Sequence, residues 1–189
     1  MINLPYGVEI NKLIDDLRIL SWEAADILLN YSGLIKDDNN KNKIIKSKKN
    51  EDPVTLADLK VNELIIRRIK EKYKHIEWEI LSEENVKIES HQCNTNSDWL
   101  WILDPLDGTK DFIQSTGNYA MHLALNYKQR PYLGIILIPE KDELWMSIGV
   151  KFWGEKRDGT LINPSIFKDK KLHEMILVTS KNHKNEQLK

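Results

Sequence analysis

The sequence is poor in cysteine, in excess charge and in long apolar runs, and each shortage excludes a class of protein. Its 189 residues contain one cysteine, Cys93, so an intrachain disulfide is excluded and a reducing compartment is expected. Lys plus Arg number 28 and Asp plus Glu 29, and this formal charge of −1 gives no global field for a nucleic-acid polymer or an anionic membrane. No run approaches the roughly 20 apolar residues of a membrane helix, and residues 1–10 lack a signal peptide's apolar stretch. These shortages predict a cytoplasmic protein with neither partner.

Glycine-rich nucleotide loops are also missing. Neither Gly-x-x-x-x-Gly-Lys-Ser/Thr nor Gly-x-Gly-x-x-Gly occurs, so nucleotide-loop enzymes find no support. What the chain does have is 41% hydrophobic and 30% charged residues, a balance typical of a globular protein with a core. Its length predicts one domain, or one domain and part of another.

Two helices are predicted in the first part of the chain. Apolar residues recur at helical spacing over residues 9–31, and Gly33 is a plausible end for this helix. Residues 36–52 are polar and predict a long loop or a hairpin. A second helix is expected from Thr55 to Tyr73. Its predicted buried residues are Leu59, Ile66, Ile69 and Tyr73.

Strands dominate the rest of the chain. The continuous apolar run from Trp99 to Leu103 predicts a strand buried on both faces. The other predicted strands are 77–81, 119–127, 133–138, 143–148, 150–153 and 176–179. Residues 139–142 predict a hairpin turn. Two helices followed by hairpin-linked strands indicate an α+β fold with helices packed on a largely antiparallel sheet.

Two aspartates come at the end of the predicted buried strand. Asp104 is followed by Pro105, which turns the backbone, and Asp107 lies three residues further on. Two such carboxylates would repel each other unless a cation lay between them, and hard oxygen ligands favour Mg²⁺ over zinc. Gly108 and Thr109 could begin a short helix whose N–H groups face a phosphate. The alternative is a turn whose aspartates only hydrogen-bond the backbone, and spacing does not separate the two.

Glu83 and Glu84 form a second acidic feature, again at the end of a predicted strand. Adjacent glutamates are usually a solvated surface. Two strands that end in acidic residues at one sheet edge can, however, bring those residues together. Glu83 and Glu84 therefore indicate a functional site only in combination with Asp104 and Asp107.

The third acidic feature is Asp58, which follows Thr55 at the start of the second predicted helix. The spacing resembles a capping box, in which Thr55 and Asp58 satisfy backbone N–H groups. A carboxylate at this helix start would also suit a catalytic base. Both readings remain open at this point.

Three motifs follow one another along the chain: Asp52-Pro-Val-Thr-Leu-Ala-Asp58, Leu81-Ser-Glu-Glu84 and Trp101-Ile-Leu-Asp-Pro-Leu-Asp-Gly-Thr-Lys110. Together they resemble the inositol monophosphatase superfamily of Mg²⁺-dependent, lithium-sensitive phosphatases. They are most similar to its CysQ-type 3'(2'),5'-bisphosphate nucleotidases. The resemblance implies a phosphoric monoester hydrolase that converts adenosine 3',5'-bisphosphate to AMP and phosphate, a step tied to sulfate assimilation. It also implies the N-terminal half of a layered αβαβα sugar-phosphatase fold.

The resemblance implies a binding site for two or three Mg²⁺ ions. Glu83, Asp104 and the Leu106 carbonyl would hold the first ion, and Asp104 and Asp107 the second. Glu84 would order the water molecules around the metals from behind these ligands.

The resemblance also implies how the phosphate and the water are held. The backbone N–H groups of Gly108 and Thr109 would cradle the phosphate. Asp58, paired with the Thr109 hydroxyl, would orient and deprotonate the metal-bound water. Ser180 and His183 would contact the nucleotide of a small-molecule substrate.

One departure from the family concerns a further metal ligand, an Asp directly after a Trp in the C-terminal half. None of the six tryptophans is followed by Asp. We therefore expect residues 1–189 to form the N-terminal metal- and phosphate-binding α+β domain, with the family's C-terminal α/β domain largely absent. Three functions stay open: the bisphosphate nucleotidase, an inositol monophosphatase or other sugar phosphatase, and a truncated chain that is non-catalytic or depends on a partner. The sequence leaves the oligomeric state open.

Overall fold

The computed structural model of the chain describes residues 4–37, 40, 43–46, 54–88 and 97–163. Cys93, Ser180, His183 and the predicted strand 176–179 lie outside these residues. In chain order the elements are α1 (Ile10–Ile35), β1 (Ile45–Lys46), β2 (Val54–Thr55), α2 (Leu56–Lys72), β3 (Glu79–Ser82), α3 (Glu83–Ile88), β4 (Trp99–Asp107), α4 (Thr109–Ile113), β5 (Ala120–Tyr127), β6 (Arg130–Ile138), the 3-10 turn Pro139–Lys141, β7 (Glu143–Ile148), β8 (Lys151–Glu155) and β9 (Leu161–Ile162).

Seven strands form one sheet in the order β3-β4-β5-β6-β7-β8-β9. Strands β3 and β4 are parallel, and every later pair of neighbours is antiparallel. Short turns join β5 to β6 and β7 to β8, and residues 108–119, with α4, join β4 to β5. The parallel pair β3–β4 needs the longer connection that begins with α3. The predicted α+β fold with a largely antiparallel sheet is confirmed, as is the predicted turn between β6 and β7.

Helices α1 and α2 pack together, and the core lies between them and one face of the sheet. Alternate strand residues point to this face because side chains alternate along a strand. Its fully buried members from β4 and β5 include Trp101, Leu103, Met121, Leu123 and Leu125. A fully buried side chain of this kind contributes about 1.5–3 kcal/mol to stability.

Helix α1 runs through Gly33 and ends at Ile35, beyond the predicted end. The last turn is held by tertiary contacts, since Ile35 is buried and the Ser32 hydroxyl donates a hydrogen bond to Glu140 at 2.8 Å. These contacts outweigh the cost of about 1 kcal/mol for a glycine inside a helix.

Helix α2 has the predicted bounds within one residue, but its buried face is rotated. Ile69 and Tyr73 are buried as predicted, whereas Leu59 and Ile66 are only partly buried. The buried residues instead include Ala57, Asp58, Val61, Leu64 and Ile65. The helix touches both α1 and β4, so two neighbours set its inward face.

The prediction that strand 99–103 is buried on both faces is wrong. Burial alternates along β4, and Ile102 is 37% exposed on the face opposite the helices. Ile136 and Phe152 are exposed on the same face. An apolar run therefore marked a strand with one covered face and one apolar open face among the described residues.

Of the two readings for residues 36–52, the structure favours the hairpin. Ile45 and Lys46 pair antiparallel with Thr55 and Val54, and residues 47–53 lie outside the described part of the chain. Within that part, every helix is too short or too polar to cross a membrane.

Candidate active site

A β-bulge in β4 brings the two aspartates to one face of the sheet. Asp104 pairs with His122 and Asp107 pairs with Ala120, so β4 has one residue more than β5 between these pairs. In a regular strand, residues three apart point to opposite faces. The extra residue at Pro105 and Leu106 shifts the alternation, and both aspartates then share the open face. The strand thus continues to Asp107 instead of ending at Asp104 as predicted.

Asp104 lies in an environment that disfavours its charge. Burial, together with the neighbouring carboxylates of Glu83 and Asp107, raises the pKa of Asp104 to about 7. Only the Leu106 N–H, which donates to Asp104 at 3.1 Å, opposes this. A cation bound among these three carboxylates at the strand end would relieve their mutual repulsion.

The donor atoms of this cluster fit Mg²⁺. They are the carboxylate oxygens of Glu83, Asp104 and Asp107 together with the Leu106 carbonyl, all hard oxygen ligands. Over the described ranges, no three His, Cys, Asp or Glu side chains already converge on one point at ion-binding distances. To bind an ion, the carboxylates would therefore have to move closer together. The donor atoms themselves would stay the same.

Gly108 makes a tight turn between β4 and α4. Its backbone is left-handed, with φ of 84°, and a Cβ added there would lie 2.7 Å from the Asn118 carbonyl oxygen. Only glycine combines this conformation with so close an approach. The turn leads directly into α4, which begins at Thr109 as predicted. The first N–H groups of any helix lack partners within the helix.

The capping box predicted at the start of α2 is present. The Thr55 hydroxyl accepts a hydrogen bond from the Ala57 N–H at 3.1 Å, and the Asp58 carboxylate accepts one from the Thr55 N–H at 2.8 Å. Asp58 Oδ1 also lies 3.5 Å from the Thr109 hydroxyl, which lies 3.1 Å from the Leu106 carbonyl. The two readings of Asp58 are thus compatible, since one oxygen caps the helix while the other faces Thr109.

Asp58 is also the carboxylate with the electrostatics of a base. Burial raises its pKa to about 6, and the negative charge of Glu84 acts in the same direction, while hydrogen bonds from Thr55 oppose the shift. Glu84 is buried at the start of α3. A carboxyl group with this pKa is mostly ionised at neutral pH and still basic enough to accept a proton.

Sequence reasoning missed Asn62. Its side chain accepts a hydrogen bond from the Ser82 hydroxyl at 2.5 Å and donates one to Asn85 at 3.1 Å. These residues flank Glu83 and Glu84, so Asn62 ties both glutamates to α2. Its place in the site could have been predicted from its position, since Asn62 lies one helical turn after Asp58 on the same helix face.

The structure gathers most of the predicted residues at one end of β4. Those that meet there are Asp58, Glu83, Glu84, Asp104, Leu106, Asp107, Gly108 and Thr109. Ser180 and His183 lie outside the described residues, so their role stays a prediction.

Comparison with known proteins identifies relatives along most of the chain. The model of the inositol monophosphatase family matches residues 12–188. The 3'(2'),5'-bisphosphate nucleotidase CysQ of Buchnera aphidicola is 29% identical over 180 residues, which are 94% of this chain and 63% of that protein. CysQ of Escherichia coli strain K12 is 27% identical over 145 residues, 76% of this chain and 55% of the relative. The chain thus spans between half and two thirds of the length of these relatives.

Solved structures of the same fold cover a similar part of the chain. The extragenic suppressor protein suhB from Bartonella henselae superposes with a TM-score of 0.62 at 21% identity, covering 79% of this chain and 53% of that one. CysQ from Bacteroides thetaiotaomicron, described as a bacterial member of the inositol monophosphatase family, superposes with a TM-score of 0.51 at 29% identity. That match covers 70% of this chain and 45% of the other.

Proposed function

The chain belongs to the inositol monophosphatase family, and on this basis we propose that it is a Mg²⁺-dependent phosphomonoesterase. The observation that carries the proposal is the meeting of two groups of residues at the end of β4. Leu106 links the Asp58–Thr109 pair to the carboxylates around Asp104: its carbonyl lies 3.1 Å from the Thr109 hydroxyl, and its N–H donates to Asp104 at 3.1 Å. A base beside a cation site is what hydrolysis of a phosphomonoester requires.

In this proposal Glu83, Asp104, Asp107 and the Leu106 carbonyl hold the metal ions. Bound Mg²⁺ would supply Lewis acidity, neutralising charge on the phosphate oxygens and lowering the pKa of water. Glu84 makes the proposed base stronger, because its negative charge raises the pKa of Asp58. We propose that the site binds two or three Mg²⁺ ions.

Asp58 and Thr109 would deliver the attacking water. The Thr109 hydroxyl has one proton, and its oxygen lies within reach of both Asp58 and the Leu106 carbonyl. When the hydroxyl donates to Asp58, its lone pairs are free to accept a hydrogen bond from water. As the water oxygen attacks phosphorus, a water proton would pass to the Thr109 oxygen and the Thr109 proton to Asp58. The ester P–O bond would break, and the leaving substrate oxygen would take a proton from solvent, while the N–H groups of Gly108 and Thr109 hold the phosphate.

The proposed substrate is adenosine 3',5'-bisphosphate, which would be cleaved to AMP and phosphate. Its support is the likeness to proteins named 3'(2'),5'-bisphosphate nucleotidase CysQ along 94% of the chain. Ser180 and His183 remain the proposed nucleotide contacts, and the cytoplasm the proposed location. Residues 1–189 would be the N-terminal part of the family's architecture.

A phosphate-release assay tests this function. We expect the purified chain with Mg²⁺ to release phosphate from adenosine 3',5'-bisphosphate faster than from inositol monophosphate. The Asp104→Asn variant should lower the rate by about 100-fold or more, because it removes a shared metal ligand. Asp98→Asn is the matched control, since Asp98 is an exposed aspartate that pairs with Lys128 at 3.7 Å.

Three results would change the conclusion in different ways. An unchanged rate in Asp104→Asn would refute the metal assignment. Faster turnover of inositol monophosphate would favour a sugar phosphatase with the same chemistry. No turnover of either substrate would favour a non-catalytic or partner-dependent chain.

A further inference from the structure

Three elements that are distant in sequence meet at the carboxylate of Glu140. Glu140 belongs to the 3-10 turn between β6 and β7. Its Oε1 accepts hydrogen bonds from the Ser32 hydroxyl of α1 at 2.8 Å and from the Tyr119 hydroxyl at 3.0 Å. Ser32 and Tyr119 are buried, with 3% and 4% exposure. A charged acceptor that serves two buried hydroxyls holds both donors more firmly than a neutral one would.

Tyr119 in turn packs against the turn at Gly108. An added Cβ on Gly108 would lie 2.7 Å from the Asn118 oxygen and 3.4 Å from the Tyr119 Cα. The Tyr119 ring meets the Phe112 ring of α4 edge-on, with centroids 4.8 Å apart. Gly108 thus rests against the backbone of residues 118 and 119, and α4 against the Tyr119 ring.

The Glu140 side chain also lies beside Gly117, in the same segment. A Cβ on Gly117, whose φ is 78°, would lie 3.7 Å from the Glu140 side chain. Burial and the Glu140 carboxylate both raise the pKa of Tyr119, so its phenol stays protonated and remains a donor. A continuous chain of contacts therefore connects α1, Glu140 and Tyr119 to the Gly108 turn, which would hold phosphate.

We propose that Tyr119, anchored by Glu140, is a positioning residue that holds the Gly108–Thr109 turn in place for phosphate. The inference rests on the proposed function for its link to phosphate, whereas its structural part stands on the contacts alone. Loss of the Tyr119 hydroxyl would free residues 117–119 to move, and Gly108 would lose its support. Phosphate would then be held less tightly, without any change at the metal ligands.

Amide hydrogen exchange at Phe112 reports how firmly the turn is held, and it does so independently of activity. The Phe112 N–H donates to the Gly108 carbonyl at 2.9 Å and so closes the first turn of α4. We expect Tyr119→Phe and Glu140→Ala to speed its exchange by up to about tenfold. Glu140→Gln keeps an acceptor oxygen and should restore slow exchange. Exchange at Leu123, in the middle of the sheet, should stay unchanged.

Tyr73→Phe is the matched control. Tyr73 is buried and donates to Asp16 at 2.8 Å between α2 and α1, so the variant removes the same kind of hydrogen bond elsewhere. Unchanged exchange at Phe112 in Tyr119→Phe, or an equal increase in Tyr73→Phe, would overturn the proposal.

Orthophosphate binding in the presence of Mg²⁺ tests the link to function. Tyr119→Phe should weaken binding about three- to tenfold, and Tyr73→Phe should leave it unchanged. Equal affinity of Tyr119→Phe and the native chain would overturn the positioning role. If the native chain does not bind orthophosphate, the proposed function fails, and the exchange of Phe112 still decides whether Tyr119 positions the turn.

Discussion

Two glycines with nearly the same backbone conformation have very different surroundings. Gly108 has φ of +84° and Gly159 φ of +85°, both in the left-handed region that other residues rarely adopt. A Cβ on Gly159 would meet no atom of the described residues within 4 Å, whereas one on Gly108 would lie 2.7 Å from the Asn118 oxygen. The pair therefore separates backbone strain from steric overlap.

Gly108→Ala should destabilise the protein more than Gly159→Ala does. Each substitution places alanine at positive φ, at a cost of about 1–2 kcal/mol. Only Gly108→Ala adds overlap with a backbone oxygen, which costs about another 1–3 kcal/mol. Urea denaturation of both variants measures the difference in the free energy of unfolding. Equal losses would mean that the 118–119 segment yields easily.

At the scale of the element, the first turn of α2 joins stability to chemistry. Thr55 caps the helix through its side chain and donates from its hydroxyl to Asp58 Oδ2 at 2.5 Å. That hydrogen bond lowers the pKa of Asp58 against the larger effect of burial. One side chain therefore stabilises the helix and keeps the proposed base ionised near neutral pH.

Thr55→Ala should change both properties at once. Loss of the cap should cost about 1 kcal/mol of stability. Loss of the hydroxyl should raise the pKa of Asp58 above about 6, because the bond that stabilises the ionised form is gone. The acidic limb of the pH–rate profile for phosphate release should then move to higher pH. Thr55→Ser retains the hydroxyl and should behave like the native chain; an unmoved limb in Thr55→Ala would argue against Asp58 as the base.

For the molecule as a whole, the acidic cluster predicts that stability depends on Mg²⁺. An ion that binds only the folded state stabilises it by about 2.7 kcal/mol when its concentration is 100 times Kd. We expect Mg²⁺ to raise the Tm of the native chain and EDTA to reverse the change. Asp104→Asn should abolish the shift and Asp98→Asn should retain it. A shift that survives in Asp104→Asn would place the ion elsewhere.

Local patterns were sufficient to predict the two long helices and the strands from β3 to β8, but not α3 or β9. Spacing of apolar residues and turn signals depend on near neighbours. The capping box at Thr55 and Asp58 and the start of α4 at Thr109 are predictions of this kind. Bounds and faces were less predictable. Helix α1 passes through Gly33, and the inward face of α2 is rotated, since partners distant in sequence decide which residues are buried.

The sequence by itself determined which residues are available for chemistry: the acidic residues, the glycine turn and the α+β order that carries them. Only the tertiary structure decided how they meet. The bulge in β4 turns Asp104 and Asp107 to one face, and packing of α2 on β4 brings Asp58 within 3.5 Å of the Thr109 hydroxyl. Burial and the carboxylates of Glu83 and Asp107 then raise the pKa of Asp104 to about 7. Register, distance and desolvation arise from long-range packing, and no spacing along the chain encodes them.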